Sequence, residues 1–534
     1  MYISKETKFD MIIPSEQRRY RLRIYIVIFT IILIMICSYY KSRNYYLPES
    51  IGNDNTNSNK NDNGSNTSGH YKIMLLITSQ MEEYQYRKLL RSILFGINDN
   101  LEPCMKYDTN IYYKFLIHPY NASNKMYKSF VSESVEYNDM VEFQHLLNSN
   151  VNYTQEVVLN WTQSLKNTGI SFDLAVLLDN QSIMNLARLK KLISDISPIQ
   201  LQNVVWSRFD DSFADDMFVI LGSKAIHTIL ANKDLIYKSD NQNIIALAYL
   251  YAKSKHQPPS NSWNNLLFIN DNKRLITHLE TLDQIPDKST IMVRNLSLKE
   301  LIKVSINLLI PPISVCHPNT PPHGEPSIAV VTSSYFYDNI NNCSPSMLDV
   351  AYMSSENKRI YAQKHGYAFI PRSLEFQQNT HNPNLKTWGR IDAVKKVLPY
   401  YDWVLWIDND AIIINQEVSI QELFKNKSSA NNDNISRSKK DLKFNAGVFL
   451  IKSSEWSFEF LKKMQEMKGL HNEQESMWQL FNEYPSLKDH TLVLDHDDHT
   501  FTTFSDDWQN DDFIVHFASN DCPAQFILDY FKKE

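Results

Sequence analysis

The residues best suited to chemistry stand at the end of an apolar run. Residues 403–407 are Trp-Val-Leu-Trp-Ile, and they lead directly into Asp408, Asn409 and Asp410. Two carboxylates in so apolar a setting carry a large desolvation cost unless a positive charge lies between them. Mg²⁺ and Mn²⁺ take oxygen ligands and share their remaining coordination positions with phosphate and water. The pattern therefore predicts a divalent cation that joins the protein to a phosphate-bearing substrate, with a solvated turn as the alternative.

Three other motifs could complete such a site. Asn445 and Gly447 precede an apolar strand, where an amide can bond sugar hydroxyls and a residue without a side chain lets a ligand approach the backbone. Glu473 and Gln474 open a helical run and could meet a reacting sugar. His516 lies in an apolar strand, and neutral imidazole suits Mn²⁺ better than Mg²⁺. The alternatives are an ordinary turn, a charged helix start and a core histidine.

Alternating strands and helices must position these residues. Residues 328–333 and 367–370 are short apolar runs typical of buried strands, and a helical pattern over 391–398 precedes the acidic strand. This alternation predicts a Rossmann-like α/β sheet. Ligands bind beyond the carboxyl ends of strands in such sheets, which is where Thr332 and Asp408 are expected. The chain has only 11 Gly and no glycine-rich phosphate loop, so a cation would have to neutralise a phosphate.

Length and composition bound the organisation of the chain. With 534 residues it exceeds what one hydrophobic core usually serves, so at least two domains are expected. Prolines crowd residues 311–326, which we interpret as a linker between segments 71–310 and 327–534. A net charge of −6 leaves no basic footprint, so nucleic acid is not expected as a partner. The Asp- and His-rich run at 495–499 is interpreted as a solvated loop rather than a metal cluster.

The N-terminus is predicted to anchor the chain in a membrane. Residues 24–40 contain no charged residue and are long enough for a short transmembrane span, and four arginines precede them. The positive-inside rule then predicts a cytosolic tail at 1–23, with the rest of the chain across the membrane. The polar composition that follows predicts a flexible stem over 41–70. A cleaved signal peptide is the alternative.

Glycosylation sequons and cysteines fit a chain in the secretory lumen. The sequons all lie after the predicted span. They begin at Asn63, Asn66, Asn121, Asn152, Asn160, Asn180, Asn295, Asn342, Asn426 and Asn434. Four of the five cysteines also follow the span, and an oxidising lumen would allow one or two disulfides among them.

Taken together, the motifs of the second segment resemble the fungal α-1,2-galactosyltransferase/α-1,6-mannosyltransferase family, which includes plant xyloglucan α-1,6-xylosyltransferases. The likeness covers about residues 327–517, and it is specific only as a set. Its pieces are Asn357-Lys358, Tyr361-Ala362, His365-Gly366-Tyr367, Trp388-Gly389-Arg390, the stretch around Asp408, Asn445-Ala446-Gly447-Val448-Phe449, Glu455-Trp456, Glu473-Gln474 and Val515-His516-Phe517-Ala518.

This resemblance implies a GT-A fold and a single-pass type II Golgi membrane protein. It implies retaining transfer of a hexosyl unit from UDP-galactose or GDP-mannose to a glycan or glycoprotein acceptor, with partner glycosyltransferases as further expected contacts. It also implies that Mn²⁺, with Mg²⁺ as the alternative, is held by Asp408, Asp410 and His516. Catalysis is assigned to Asn445, Glu473 and Gln474. Donor binding is assigned to Thr332, Arg390, Asp408, Asn409, Asp410, Asn445 and Gly447.

The chain departs from this family after the histidine. Family members continue His-Phe-x-Gly-Cys, whereas residues 516–522 here are His-Phe-Ala-Ser-Asn-Asp-Cys. An aspartate near a diphosphate is unfavourable unless a cation offsets its charge.

The first segment resembles, in shorter patches, the β-1,3-galactosyltransferase family. These patches are residues 136–141, Tyr153 with Trp161, and residues 172–180. That family has three aspartates after the last of these strands, and here only Asp179 is present. One carboxylate makes a poor metal site, so this segment is predicted to be a catalytically inactive lobe that binds an acceptor or a partner. An unrelated α/β domain is the alternative.

The sequence therefore predicts two GT-A-like Rossmann-type lobes of α/β class and a metal-dependent Golgi glycosyltransferase. A phosphatase can also place an aspartate nucleophile in Asp-x-Asp, but it would need Thr or Val two residues after Asp410, where Ile412 stands. A lumenal glycan-binding or scaffold protein is compatible with the single acid of the first segment and with the altered ending.

Overall fold

The computed structural model describes residues 69–97, 99, 106–107, 110–118, 124–142, 155–210, 213–233, 244–253, 263–277, 289–308, 310–311, 316–317, 325–335, 343–378, 383–423, 445–492, 494, 499–518 and 521–533. The predicted tail, anchor and almost all of the predicted stem lie outside these ranges. Within them, no helix combines the length and the apolar character that a membrane crossing requires. We refer to residues 69–311 as the N-terminal lobe and to residues 325–533 as the C-terminal lobe.

The N-terminal lobe alternates strands and helices. Its strands are β1 (Gly69–Gln80), β2 (Lys106–Tyr107), β3 (Ile111–His118), β4 (Met140–Glu142), β5 (Ile170–Asp179), β6 (Ile183–Met184), β7 (Val204–Asp210), β8 (Phe213–Gly222), β9 (Leu267–Asn270), β10 (Leu275–Ile276) and β11 (Met292–Val293). Its helices are α1 (Tyr84–Phe95), α2 (Asn124–Tyr137), α3 (Gln155–Ser164), α4 (Leu186–Ser194), α5 (Pro198–Leu201), α6 (Ser223–Ala231), α7 (Ile244–Lys253) and α8 (Leu298–Asn307). β12 (Cys316–His317) lies in the predicted linker and pairs with β2.

The C-terminal lobe follows the same alternation. Its strands are β13 (Ile328–Ser333), β14 (Ala368–Arg372), β15 (Trp403–Ile407), β16 (Ala411–Ile413), β17 (Val448–Lys452), β18 (Thr502–Phe504) and β19 (Ile514–His516). Its helices are α9 (Ala351–His365), α10 (Leu374–Gln377), α11 (Gly389–Val397), α12 (Glu455–Glu466), α13 (Glu473–Glu483) and α14 (Pro523–Lys533). The strands predicted at 328–333 and at Trp403 are confirmed, and the strand predicted at 367–370 begins one residue later.

The main sheets of the two lobes share one arrangement. The N-terminal sheet has the order β4-β3-β1-β5-β8-β7-β9, and the C-terminal sheet has the order β14-β13-β15-β17. In both, three neighbouring parallel strands (β3-β1-β5 and β14-β13-β15) are followed by an antiparallel one (β8 and β17). After β5 in one lobe and after β15 in the other, the chain enters a smaller sheet. Its order is β10-β11-β6 in the N-terminal lobe and β16-β19-β18 in the C-terminal lobe. The predicted α/β class is therefore confirmed in both lobes.

The C-terminal sheet is covered on both faces, which explains why its strands are almost continuously apolar. Ala329 and Val331 of β13 belong to an apolar cluster that includes residues of α11, α12 and α13. Val330 of the same strand belongs to a second cluster, together with Leu405 of β15 and Tyr361 of α9. The sheet is thus held from both sides, and the carboxyl end of β15 has a fixed position.

The two lobes share a buried boundary. Helix α2 packs against α9 and β14. Arg372, at the end of β14, is fully buried and pairs with Asp99 of the N-terminal lobe at 2.7 Å. The neighbouring Ser373 hydroxyl donates to the Glu136 carboxylate, also across the boundary. Since these polar groups satisfy one another away from water, the boundary is specific rather than a loose contact.

Candidate metal centre at the end of strand β15

The acidic pair lies in a tight turn between two sheets. After β15 the chain reverses, and the Ala411 amide donates to the Asp408 carbonyl oxygen at 3.2 Å. The next strand, β16, enters the smaller sheet and pairs with β19, so that Ala411 lies opposite His516. This register brings a histidine more than a hundred residues away in sequence to the two carboxylates.

The three side chains predicted to hold a metal do come together. His516 Nε2 lies 3.2 Å from Asp410 Oδ1 and 4.0 Å from Asp408 Oδ2. A carboxylate oxygen of Asp408, a carboxylate oxygen of Asp410 and a ring nitrogen of His516 all lie within 4.8 Å of one another. The side chains of Asp408, Asp410 and His516 are 17%, 26% and 4% exposed, so the cluster is largely desolvated but still reachable from one side. Two carboxylates and one imidazole are a donor set that fits Mn²⁺.

Asp408, Asp410 and His516 shift one another's pKa values. Burial, supported by the Asp410 charge and opposed by Arg390, raises the pKa of Asp408 to about 6. Burial also acts to raise the pKa of Asp410, but the charge and hydrogen bond of His516 bring that pKa below its ordinary value. Burial acts to lower the pKa of His516, and the two carboxylates more than offset it, so this pKa lies above its ordinary value. A divalent cation would supply the positive charge that the carboxylates otherwise obtain from protons.

Arg390 links the acidic pair to a second carboxylate. It projects from the first turn of α11, and its Nη2 lies 3.0 Å from Asp408 Oδ2. Its Nε lies 3.2 Å from Glu473 Oε1. The other oxygen of Asp408 accepts a hydrogen bond from the Trp406 indole at 2.8 Å. Both oxygens of Asp408 are therefore oriented by the protein.

Glu473 is buried with one oxygen unsatisfied. It opens α13, where Asn472 caps the helix through the Glu475 amide, and it is 2% exposed. Among the described residues, Glu473 Oε2 has no hydrogen-bond partner. A buried carboxylate oxygen without a partner is costly in the folded state. Such an atom is what a site built to receive a polar ligand would show.

Asn445 and Gly447 lie on the segment beside Asp408 and His516. The Asn445 side chain accepts from the Gly447 amide at 2.6 Å, and the Gly447 carbonyl accepts from the Asp408 amide at 2.8 Å. A Cβ at position 447 would lie 2.1 Å from His516 Cε1 and 2.8 Å from Asp408 Oδ2. Glycine is therefore required here because the metal-site side chains occupy the space of its missing side chain. The side-chain oxygen of Gln474, Oε1, accepts from the Ala446 backbone amide at 2.8 Å and joins this segment to α13.

A buried polar patch on α9 supports the turn from beneath. Ser354 donates to the Asn409 carbonyl, and Asn357 exchanges hydrogen bonds of 2.8 Å with the Ile413 carbonyl and amide. Lys358 is fully buried and donates to the Ala411 carbonyl at 2.7 Å and to Ser354 Oγ at 2.8 Å. Burial lowers the pKa of Lys358 to about 7.

The sequence assigned no function to this patch. Asn357 and Lys358 were named only as part of the family resemblance, with no role assigned to either. A signal was present, because an Asn-Lys pair stands on the core-facing side of a helix, where polar residues need buried partners.

Other predicted residues lie outside the cluster. Thr332 is buried at the end of β13, and its hydroxyl has no hydrogen-bond partner among the described residues. Asn409 contributes a backbone carbonyl to the turn. Residues 495–498 lie outside the described residues, and His499 pairs with Asp512 at 3.0 Å. In the altered ending, Cys522 forms a disulfide with Cys343, and Asp521 is exposed.

Comparison with known proteins shows what this segment is similar to. Residues 324–429 match the family model described as the galactosyl transferase GMA12/MNN10 family. An "uncharacterized alpha-1,2-galactosyltransferase" of Schizosaccharomyces pombe is 24% identical over 30% of this chain and 54% of its own length. The "probable alpha-1,6-mannosyltransferase MNN10" of Saccharomyces cerevisiae is 25% identical over 26% of this chain and 44% of its own. A "probable glycosyltransferase 6" of Oryza sativa subsp. indica is 28% identical over 21% of this chain and 24% of its own.

These relatives are matched over about half of their length or less. Among solved structures, a glycosyltransferase involved in the glycosylation of the major capsid of PBCV-1 is 18% identical and is matched over 39% of this chain and all of its own, with a TM-score of 0.28. A score this low does not establish a shared fold. The sequence matches do confirm the predicted resemblance: the segment that carries Asp408 and Asp410 is similar to the galactosyl transferase GMA12/MNN10 family.

Proposed function

We propose that this protein is a metal-dependent, retaining hexosyltransferase that moves a galactosyl or mannosyl unit from a nucleotide sugar to a hydroxyl of a glycan or glycoprotein. The observation that carries the proposal is the convergence of Asp408, Asp410 and His516 within 4.8 Å in a lobe with this family sequence. Two relatives named as a galactosyltransferase and a mannosyltransferase support the two donor sugars considered.

The side chains around the cluster suggest a division of roles. Asp408, Asp410 and His516 would hold Mn²⁺, which when bound would neutralise charge on the leaving diphosphate. Arg390 keeps Asp408 and Glu473 in fixed orientation through contacts of 3.0 and 3.2 Å. Gly447 leaves the backbone open beside the carboxylates, and Asn445 holds that backbone in place. In our proposal Asn445 and Gly447 contact the donor, together with Thr332 and Asn409.

Glu473 and Gln474 are proposed to face the reacting sugar and the acceptor hydroxyl. The unsatisfied Glu473 Oε2 can accept from a sugar hydroxyl, which would remove the cost of its burial. Gln474 has its carbonyl fixed by Ala446, which leaves its amide group to donate to a ligand. We assign no side chain as a nucleophile. Retention would then depend on a same-face attack assisted by the departing phosphate.

We further propose that the chain is a type II Golgi membrane protein with both lobes in the lumen. The uncharged run at 24–40 and the preceding arginines support this orientation. The Cys343–Cys522 disulfide fits an oxidising compartment. The sequon residues Asn160 and Asn295 are exposed, whereas Asn180 is 3% exposed and its amide donates to Ser79 and Glu83. Glycans are therefore expected at the first two positions and not at Asn180.

The full-length protein, purified in detergent, can be incubated with UDP-galactose, GDP-mannose and other nucleotide sugars on an oligosaccharide acceptor panel. We expect product and nucleotide release with one hexosyl donor in Mn²⁺, no release in EDTA, and an α-anomeric product by NMR. An inverted anomer would reject retention, and unchanged rates in EDTA would reject metal dependence. Binding of glycan without nucleotide release from any donor would reject transfer and favour a lumenal glycan-binding or scaffold protein.

A further inference from the structure

The N-terminal lobe contains a counterpart of the candidate metal centre. Strand β5 occupies the place of β15 in its sheet, and it ends in Asp179. The turn that follows is closed by the same backbone bond, because the Ser182 amide donates to the Asp179 carbonyl at 3.1 Å, as Ala411 does to Asp408. Asp179 therefore corresponds to Asp408.

The rest of the correspondence follows from the strand register. Because Asp179 matches Asp408, Gln181 matches Asp410 and Ser182 matches Ala411. In the smaller sheet Ile183 lies opposite Val293 and Met184 opposite Met292, in antiparallel order. One step back along this ladder, Ser182 lies opposite Arg294, as Ala411 lies opposite His516 in the other lobe. Arg294 therefore occupies the position of the histidine.

The contacts of Asp179 show what this exchange does. Arg294 Nε lies 2.7 Å from Asp179 Oδ2. Asp179 Oδ1 accepts from Ser182 Oγ at 2.7 Å and from the Gln181 amide at 3.1 Å. Both oxygens of the carboxylate are thus satisfied by the chain itself. A guanidinium has no lone pair to offer a cation, and its charge repels one.

We infer that Arg294 takes the place of the divalent cation in the N-terminal lobe, so that this lobe is held in a metal-free form by its own side chain. Among the residues that the structure describes there is then one catalytic cation site, in the C-terminal lobe, and this count rests on the function proposed above. The absence of a site at Asp179 does not rest on it. The lobe keeps the backbone frame of a transferase while a built-in cation occupies the place at which chemistry would occur.

Counting bound Mn²⁺ on the full-length protein in detergent tests this inference. Free Mn²⁺ is measured by electron paramagnetic resonance after equilibrium dialysis. We expect one Mn²⁺ per chain in the wild type, one in Asp179→Asn, and none in Asp408→Asn. Two Mn²⁺ in the wild type, or loss of a bound Mn²⁺ in Asp179→Asn, would overturn the inference.

Exchanging the residues between the lobes gives the matched pair. Gln181→Asp/Arg294→His restores an acidic pair and a histidine to the N-terminal turn, and we expect it to bind one Mn²⁺ more than the wild type. The Asp410→Gln/His516→Arg variant gives the C-terminal turn the residue types of Gln181 and Arg294, and we expect this variant to bind no Mn²⁺. Circular dichroism confirms that each variant is folded. A folded Gln181→Asp/Arg294→His variant with no gain in Mn²⁺ would contradict the inference.

The count also separates this inference from the proposed function. If the wild type binds no Mn²⁺ but the Gln181→Asp/Arg294→His variant binds one, the C-terminal metal site is rejected and the role of Arg294 stands. If the wild type binds one Mn²⁺ that Asp179→Asn removes and Asp408→Asn does not, both are rejected.

Discussion

Two strand ends in one chain have the same backbone and opposite electrostatics. At the end of β5, Asp179 is fully paired by Arg294 and by its own turn. At the end of β15, Asp408 faces a second carboxylate, and burial raises its pKa to about 6. The same backbone turn therefore forms around an arginine in one lobe and around a second carboxylate and a histidine in the other. Asp408 also has an arginine partner, because Arg390 Nη2 lies 3.0 Å from its Oδ2. What distinguishes the lobes is the rest of each turn, which has Asp410 and His516 in the C-terminal lobe and Gln181 and Arg294 in the N-terminal lobe.

One buried polar cluster from each lobe illustrates this contrast. In the N-terminal lobe, Arg87, Arg91, Glu133, Asp139 and Tyr113 form a closed buried network, in which Arg91 bonds Asp139 at 2.8 Å and Glu133 at 2.7 Å. In the C-terminal lobe, Glu473 Oε2 is buried without a partner among the described residues. Local rules of polar satisfaction are broken where a site must receive a ligand, and the rest of the fold has to stabilise it. The unsatisfied Glu473 oxygen beside the acidic pair therefore favours the C-terminal turn as the place where a ligand binds.

The largest contrast between the lobes should come from removing each strand-end charge. Asp408→Asn removes a carboxylate from the metal site, and we expect hexosyl transfer to fall by about 10³-fold or more, since this charge would orient the cation on the diphosphate. Asp179→Asn should change transfer less than about twofold, because its partner is Arg294 and not a ligand. Initial rates of nucleotide release at saturating Mn²⁺ measure both.

Thermal melting supplies the control for that pair, because both variants must be folded for the rates to be compared. Full activity in Asp408→Asn would reject the catalytic role of the C-terminal turn. An equal loss of activity in Asp179→Asn would mean that both strand-end aspartates contribute to transfer, which contradicts the distinction between the two lobes.

The sequence predicts the C-terminal turn better than its N-terminal counterpart, and the reason is physical. An apolar strand that ends in two acids is a local signal, and it correctly predicts β15. His516 was predicted to join the acids because an acidic pair needs further ligands and because of the family resemblance, and the structure places its Nε2 3.2 Å from Asp410 Oδ1. Arg294 lies 115 residues from Asp179, and only the pairing of β6 with β11 brings them together. A two-residue strand gives too short a pattern to reveal that register from the sequence.

Buried polar support is the other part that the sequence does not reveal. In the sequence, Lys358 is one charged residue on a predicted helix. Nothing in its spacing shows that its ammonium group donates hydrogen bonds to Ser354 Oγ and to the Ala411 carbonyl. Arg390 was predicted near the donor only from a family position. Its contacts with Asp408 and Glu473 join α11 to the end of β15 and to the start of α13. These long-range pairs depend on tertiary structure, which local propensity and periodicity do not encode.

A glycine exchange tests how closely the C-terminal site is packed. Gly447→Ala would bring a methyl group to 2.1 Å from His516 Cε1, so the histidine has to move away from the carboxylates. We expect transfer to fall by about 10²-fold and the Mn²⁺ concentration for half-maximal rate to rise, as when ligands are displaced by about 1 Å. Rates measured over a range of Mn²⁺ concentrations separate the two effects.

Gly366→Ala is the matched control for that exchange. Gly366 ends α9 with a φ of +71°, and nothing lies within 4 Å of a Cβ placed there. Alanine in this conformation should lower the free energy of unfolding by about 1 kcal/mol through backbone strain alone. If both variants lose transfer equally, the effect of Gly447→Ala is one of stability and the packing argument fails.

The pH dependence of Mn²⁺ binding should follow the shared protonation of the C-terminal cluster. Burial raises the pKa of Asp408 to about 6, and only the carboxylate form binds a cation. As pH falls below 6, protonation of Asp408 alone should weaken apparent Mn²⁺ affinity about tenfold for each pH unit, since Asp408 must lose one proton for each cation bound. His516 acts in the same direction, because its pKa is raised above the ordinary value and it must be neutral to ligate.

Half-saturating Mn²⁺ concentrations from pH 8 to pH 5 measure this dependence, with circular dichroism at each pH to confirm the fold. An affinity that stays constant down to pH 5 would show that Asp408 does not bind the metal as a carboxylate.

The smallest effect is expected from the support beneath the turn. Lys358→Met keeps the length of the side chain but leaves the Ala411 and Ser354 carbonyls without their donor, which should lower the free energy of unfolding by about 1–3 kcal/mol. Because the turn then positions Asp410 less well, the Mn²⁺ concentration for half-maximal rate should rise by about tenfold, while the rate at saturating Mn²⁺ changes little. Lys364→Met, on the same helix, removes only an exposed pair with Glu417 and should leave both quantities unchanged. If Lys358→Met lowered stability without altering the Mn²⁺ requirement, α9 would be a structural neighbour of the metal site and not a support for it.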